Sequence, residues 1–572
     1  MALRLDVDPL ALLAASFLAA WFLVASAALG AAPPTQVAAG APPASSCPGS
    51  NLSPRLLAVG ESLEAEIRGG ERHAFRLQLP PGSFATARVE RRGVDLVVEV
   101  GPEEKPSPRI VDTFQTAEPI EFSVLIEHER CVDFVVTPRL ASAAATSYRL
   151  EVLTSRPAEP ADTLRIRAED VVSAAVALYR EATADSLRGA IERLLEAARL
   201  YEEAGAVAER AGTLGNAAVI AYALSEPRQA IELAETAVSL QEAVANKEGA
   251  ASSHLNLAVL YGTLGEIEPA QQHHLRAIAL AREIGDRRGE ATAINNFGVF
   301  LGQNGDRQQA LVLLEQALAM RRELHDSAGD GATLASLGSF YSQLGEPQTA
   351  KEYLERALLL FREAQDVVNL ATTLNLLGRV RLDLGDTKGA LEAQNEALQI
   401  ERRSGDRRGE AFSAQSLGEI AASLGDHAKA LELFQQALDL QRALGNRRGE
   451  ASALHALGSS RAARGESDEA RTAYEAALPL RVAVADRGGE IVTRLALARL
   501  LRDRGDLAGA QREAAAAVDL VETLRTKVTA QELRAGYLAG FRGVYDVLVD
   551  VLMRLDEKES GRGHAAEALA IH

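Results

Sequence analysis

Between residues 165 and 525, apolar residues return every three or four positions, in blocks that recur every forty residues. Within one block, Ala291, Ile294, Phe297, Phe300 and Leu301 mark one face of a helix. Gly305 then supplies a left-handed turn residue and Asp306 a cap for the next helix. Ala310, Leu313, Leu314, Ala317 and Leu318 line the second helix. The phase is kept by Ala230, Ala270, Ala310, Ala350, Ala390, Ala430, Ala470 and Ala510. A more degenerate unit precedes them, around Ala190 and Ala197. A single helix pair cannot bury its apolar face, so the pairs must stack into an array.

Ahead of the array the hydrophobic period changes to two. Leu63, Ala65 and Ile67 alternate with acids, and Phe75, Leu77 and Leu79 follow after a Gly-rich turn. Ala85 to Val89, Leu96 to Val100, Phe122 to Ile126, Phe134 with Val136, and Tyr148 to Val152 continue the alternation. Seven or eight short strands over 57–154 predict a small antiparallel β-sandwich. Residues 155–164, with Pro157 and Pro160, read as a hinge, and the Ala/Pro/Ser-rich stretch 31–56 as a tether. Residues 1–30 form a hydrophobic leader whose stretch 10–29 carries no charge. Three readings of it stand: a cleaved export signal, an uncleaved anchor that tethers the chain to a membrane, or the start of a cytoplasmic protein. The first two, which are expected here, place the protein outside the cytoplasm. Beyond the array, 526–572 reads as helical, with Leu533, Tyr537, Phe541, Tyr545, Leu548 and Leu552 as an apolar stripe.

The helical units resemble the tetratricopeptide repeat. Leu334, Leu337, Gly338 and Tyr341 fill the bulky, Leu-Gly and aromatic places of its first helix, and Ala350, Leu354 and Ala357 those of its second. The resemblance implies a mainly α fold, a right-handed superhelical solenoid whose first helices line a concave groove. The β-region resembles the pre-peptidase domains of secreted bacterial proteins. The run from Leu533 through Tyr545 to Leu555 resembles the junction in bacterial proteins that join such repeats to a CHAT caspase-like peptidase. That resemblance implies a His–Cys peptidase domain, which this sequence does not contain: no cysteine follows Cys131. The chain then reads as a copy without its protease or as a separate adaptor.

The net charge of −18 disfavours nucleic acid as a partner. Cys47 and Cys131 are the two cysteines, open to one disulfide or two free thiols, and they form no metal site. No nucleophile with a partnered base, phosphate loop or metal motif is legible, so no catalytic residue, cofactor or metal is expected and the chain is read as non-catalytic. His254 and His274 occupy facing places of one unit and could meet across its helices, with His273 as a surface neighbour. Asp286, Arg287, Arg288, Gly289 and Glu290 recur at 406–410, and with Asn446 at 446–450, as a capping and ion-pair ladder. The candidate site is the groove. The resemblance places Asn256, Asn295, Asn296, Asn375, Arg379, Gln415, Glu419 and His455 on its inner surface, where amides can bond both edges of an extended peptide. The expected partner is therefore a protein or peptide segment.

Overall fold

The computed structural model describes residues 54–92, 96–101, 109–111, 120–126, 131–138, 146–527, 531–559 and 563–571. The leader and nearly all of the tether, with Cys47, lie outside the described residues. Strands β1 (Arg55–Leu57), β2 (Ser62–Ile67), β3 (His73–Gln78), β4 (Ser83–Arg92), β5 (Leu96–Val100), β6 (Arg109–Val111), β7 (Ile120–Ile126), β8 (Cys131–Pro138) and β9 (Thr146–Pro157) form two sheets. Their orders are β1-β3-β8-β5-β6 and β2-β9-β4-β7. Pairing is antiparallel except where β1 lies parallel to β3. Alternate residues such as Ile67, Val89, Leu96, Phe122, Phe134 and Leu150 fill the space between the sheets. Two short edge strands, β1 and β6, were not legible as alternation, because three residues hold too little of a period. Cys131 is disulfide-bonded, which resolves the open alternative at that residue.

The stretch 155–164 is tied rather than loose. Arg156 makes a bidentate ion pair with the buried Asp162, with contacts of 2.7 and 2.6 Å, and lies over the Phe84 ring. Asp162 also accepts from the Glu159 N–H, closing a capping box at the start of the helix Pro160–Glu181. Glu169 of that helix accepts hydrogen bonds from the backbone N–H and the hydroxyl of Ser123 in β7. The β-sandwich is thereby keyed to the first helix.

From Pro160 onward the helices come in antiparallel pairs. Arg287–Gln303 pairs with Arg307–Glu323, Ser327–Gln343 with Pro347–Glu363, and Val367–Asp383 with Thr387–Ser404. Small residues permit the close approach. A Cβ added at Gly338 would stand 2.6 Å from Leu354 Cγ, so any side chain there would force the pair apart. Turns close with glycine in the left-handed region, as at Gly305 with φ 95. Asp286, Asp326, Asp366 and Asp406 then accept from backbone N–H groups of the following helix. The recurring acid–Arg–Arg–Gly–Glu motif divides its labour. Its first residue caps, while Glu290, Glu410 and Glu450 pair with Arg282, Arg402 and Arg442 across the turn at 2.6–2.8 Å.

First helices of consecutive pairs approach one another more closely than second helices do, which puts the first helices on the inner side of the curve. The curve returns on itself. Arg408 lies over the Tyr179 ring, and Gly445 packs against Ala184 and Leu224. After the array, Gln531–Lys558 and His564–Ile571 are helical. Among the described residues, no helix is long and apolar enough to cross a membrane.

Candidate functional site

On the inner side, the first helices Lys247–Thr263, Arg287–Gln303, Ser327–Gln343 and Val367–Asp383 wall a cavity of about 100 Å³. Its walls are mainly apolar, among them Val259, Val299, Ala335, Phe340 and Leu376. Polar groups enter at separate points: Thr292, Asn295, Asn296, Ser336, Ser339 and Asn369. Side chains land here because the first helix turns its apolar stripe against its own partner helix. The positions left over face the curve.

Of the groove residues expected from sequence, Asn295 and Asn296 line this cavity together. Asn295 Nδ2 donates to Asn296 Oδ1 at 3.2 Å, and the buried Asn295 Oδ1 accepts nothing. Asn256 and Arg379 are half-buried elsewhere on first helices, and the inner Nη1 of Arg379 has no partner. Gln415 Nε2 donates to Glu419 Oε1, four residues on.

Two of the expected residues make bonds within the array. Asn375 is buried and its amide is engaged at both ends, Nδ2 donating to Glu401 Oε1 and Oδ1 accepting from Ser413 Oγ, while its backbone carbonyl accepts from Gln394 Nε2. His455 shares a hydrogen bond with Thr493 and packs against Tyr474, and burial pulls its pKa down to about 3. Asn375 serves the array itself, while His455 is half-buried and bonded through one ring nitrogen. The facing-histidine expectation also changes partner. His254 Nδ1 meets His273 Nδ1 at 2.8 Å, and its Nε2 approaches Glu242. His274 instead packs on Phe297 and Phe300 with neither ring nitrogen bonded. Burial takes its pKa to about 3, so it stays a neutral aromatic filler. Among the described residues, no cluster of three or more His, Cys, Asp or Glu is placed to hold a metal ion.

What the sequence reading missed lies on the second helices. One place, repeating every forty residues, holds Gln241, Ala281, Arg321, Phe361, Glu401, Gln441, Arg481 and Val521. Gln241, Arg321, Phe361, Glu401 and Arg481 in it are nearly inaccessible to solvent. Polar residues in a column that also accepts Phe361 and Val521 were a readable signal. Arg321 is one of them; its side chain lies beside Gly329 and reaches the cavity.

Stacked helix pairs with an inward-facing groove define a solenoid of the kind that holds other chains. Residues 209–283, 289–363 and 369–443 match the tetratricopeptide repeat family model. Solved structures similar to it include BtubC from P. vanneervenii, at 21% identity over 37% of this chain and 90% of that one, with TM-score 0.34. A signal transduction ATPase with a tetratricopeptide repeat sensor from Pyrococcus horikoshii is 16% identical, covering 59% of this chain and 52% of that one, with TM-score 0.41. A Rap protein complexed with Competence and Sporulation Factor is 15% identical over 60% of this chain and 99% of that one, with TM-score 0.38. Likenesses this distant carry nothing about partners. No curated protein matches the chain.

Proposed function

We propose that this protein is a non-catalytic interaction scaffold, exported or membrane-tethered, whose inner groove takes an extended segment of a protein partner. The observation that carries the reading is the cavity on the first-helix face, where Asn295 and Asn296 offer amides beside apolar walls. An extended strand presents both kinds of surface, alternating side chains and a ladder of N–H and C=O groups. The disulfide at Cys131 supports an oxidising compartment, in keeping with the leader at 10–29.

A photo-crosslinking residue placed at Ser339, on the cavity wall, is expected to capture one defined segment of a partner. The same residue at Val312, on an exposed face, is expected to capture none. Ser336→Trp, which fills the cavity, should abolish the adduct. Capture that is equal at both positions, or that survives the tryptophan, removes the groove assignment. A second role, as the recognition arm of a separately encoded His–Cys peptidase, draws its support from the resemblance around Leu533 to Leu555. That role requires a protease that co-purifies with this chain and loses substrate selection without it.

A further inference from the structure

Arg321 is a buried cation that the fold does not complete. It belongs to the second helix Arg307–Glu323, is 4% exposed, and passes between first helices into the cavity. Its Nη2 donates to Thr292 Oγ1 at 3.2 Å, while its Nε has no acceptor. Asp326 and Asp330 act on it electrostatically. Asp326 Oδ1 is spent on the Gly329 N–H and Asp330 leans toward Arg322 at 3.5 Å, and neither closes an ion pair with Arg321. The same column shows how the fold completes such a group when it does. Arg481 Nη1 pairs with Asp486 at 2.9 Å.

Asp326 and Asp330 lie in electrostatic range, but no ion pair closes, and a buried guanidinium left without a bonded anion is costly, by several kcal/mol. Nothing in the packing requires it, since Ala281, Phe361 and Val521 occupy equivalent places. The walls before it are apolar and the cavity is the size of one side chain. A short apolar stem ending in a carboxylate would bury against Val299, Phe340 and Leu376 and bring its oxygens to the guanidinium. The terminus of a chain would have to bring its backbone through the first-helix layer; a side chain reaches in from a strand lying along the groove.

We infer that the cavity is a selectivity pocket for an acidic side chain, glutamate by its length, carried on an extended partner segment and bonded by Arg321. The inference rests on the groove reading above and adds to it the chemistry of the anchor residue. It is tested with the full chain and pools of synthetic peptides, blocked at both ends, with degenerate flanks and a central Glu, Gln, Leu or Lys. Binding is read by fluorescence anisotropy. The glutamate pool is expected to bind about tenfold more tightly than the glutamine pool, as for one charge-assisted bond. Arg321→Met should erase that difference. Thermal melting reports that the variant is folded, and Thr292→Val, which keeps the cation but removes its anchor, should reduce the preference several-fold. Pools bound equally by the wild type, or a preference that survives Arg321→Met, overturn the pocket while leaving the groove reading intact. Preference for an unblocked C-terminus over an internal glutamate overturns the side-chain assignment. No binding of any pool removes the groove reading and this inference together.

Discussion

Glu401 is where burial and hydrogen bonding set a charge state that composition could not reveal. Its carboxyl accepts from Asn375 Nδ2 at 2.9 Å and lies 2.6 Å from Ser413 Oγ, which also faces Asn375 Oδ1 at 3.0 Å. Ser413 has one proton to give. With Glu401 neutral, a closed ring forms: acid to serine, serine to Asn375 carbonyl, Asn375 amide to acid. With Glu401 ionised, the serine must abandon one acceptor. Burial therefore raises its pKa from 4.5 to about 7, against the pull of its two donors. The folded state holds this proton more tightly than the unfolded one. Stability from the group is full below pH 4.5 and is lost as pH rises through about 7, a swing of about 3 kcal/mol. Glu401→Gln, whose amide can replace the acidic O–H in the ring, is expected to match the wild type near pH 4.5 and to exceed its melting temperature above pH 7. Parallel melting curves for the two proteins across that range would contradict the assignment. In sequence, Glu401 looks like a surface acid on an amphipathic helix. Only the neighbouring pair brings Asn375 and Ser413 to it.

Helix elements were the most legible part of the chain, because every signal that specifies them is local. The apolar period, the glycine after each helix and the capping acid all lie within a few residues of the feature they set. The glycines inside helices act at the next level, between partners. Gly338 stands where Leu354 Cγ and Ala350 O leave no room for a methyl group. Gly338→Ala is expected to destabilise the array by about 1–3 kcal/mol. Gly385→Ala, at a left-handed turn with open space around it, should cost only the backbone strain of about 1–2 kcal/mol. Chemical denaturation of the two variants measures both values. What local signals did not specify was side-chain direction on the second helices. The column holding Arg321, Glu401 and Arg481 reads as periodic in sequence, yet its inward reach depends on the angle at which successive pairs stack.

Across the whole molecule, small rotations between units add up until distant turns touch. Gly445 has φ 66, and a Cβ there would meet Ala184 Cβ at 2.8 Å and Leu224 Cδ2 at 3.2 Å. Arg408 covers Tyr179 close by. The comparison with Gly385 isolates this closure, since both glycines are left-handed and only Gly445 has a long-range neighbour. Gly445→Ala is expected to cost more than Gly385→Ala and to raise amide exchange in the helix Ala184–Glu203. Equal exchange in the two variants would leave the contact without energetic weight. The closure also bears on binding, because a curve that returns on itself encloses what lies in its groove. At the other end, Glu169 and the Arg156–Asp162 pair fix the β-sandwich to the first helix, so the two parts meet through polar keys.

The sequence by itself determined the repeat, its phase, its helix boundaries and the alternation of the β-region, since each follows from neighbours in the chain. It also placed a set of polar residues on the first helices, although the walls between them are mainly apolar. Tertiary structure alone decided which of those polar residues are free. Asn295 and Asn296 open into a cavity, Asn375 is taken up by internal bonds, and Arg321 arrives there from behind. The reason is physical: a hydrogen bond or a buried charge is satisfied by whatever comes within about 3 Å, and that distance is set by packing between units.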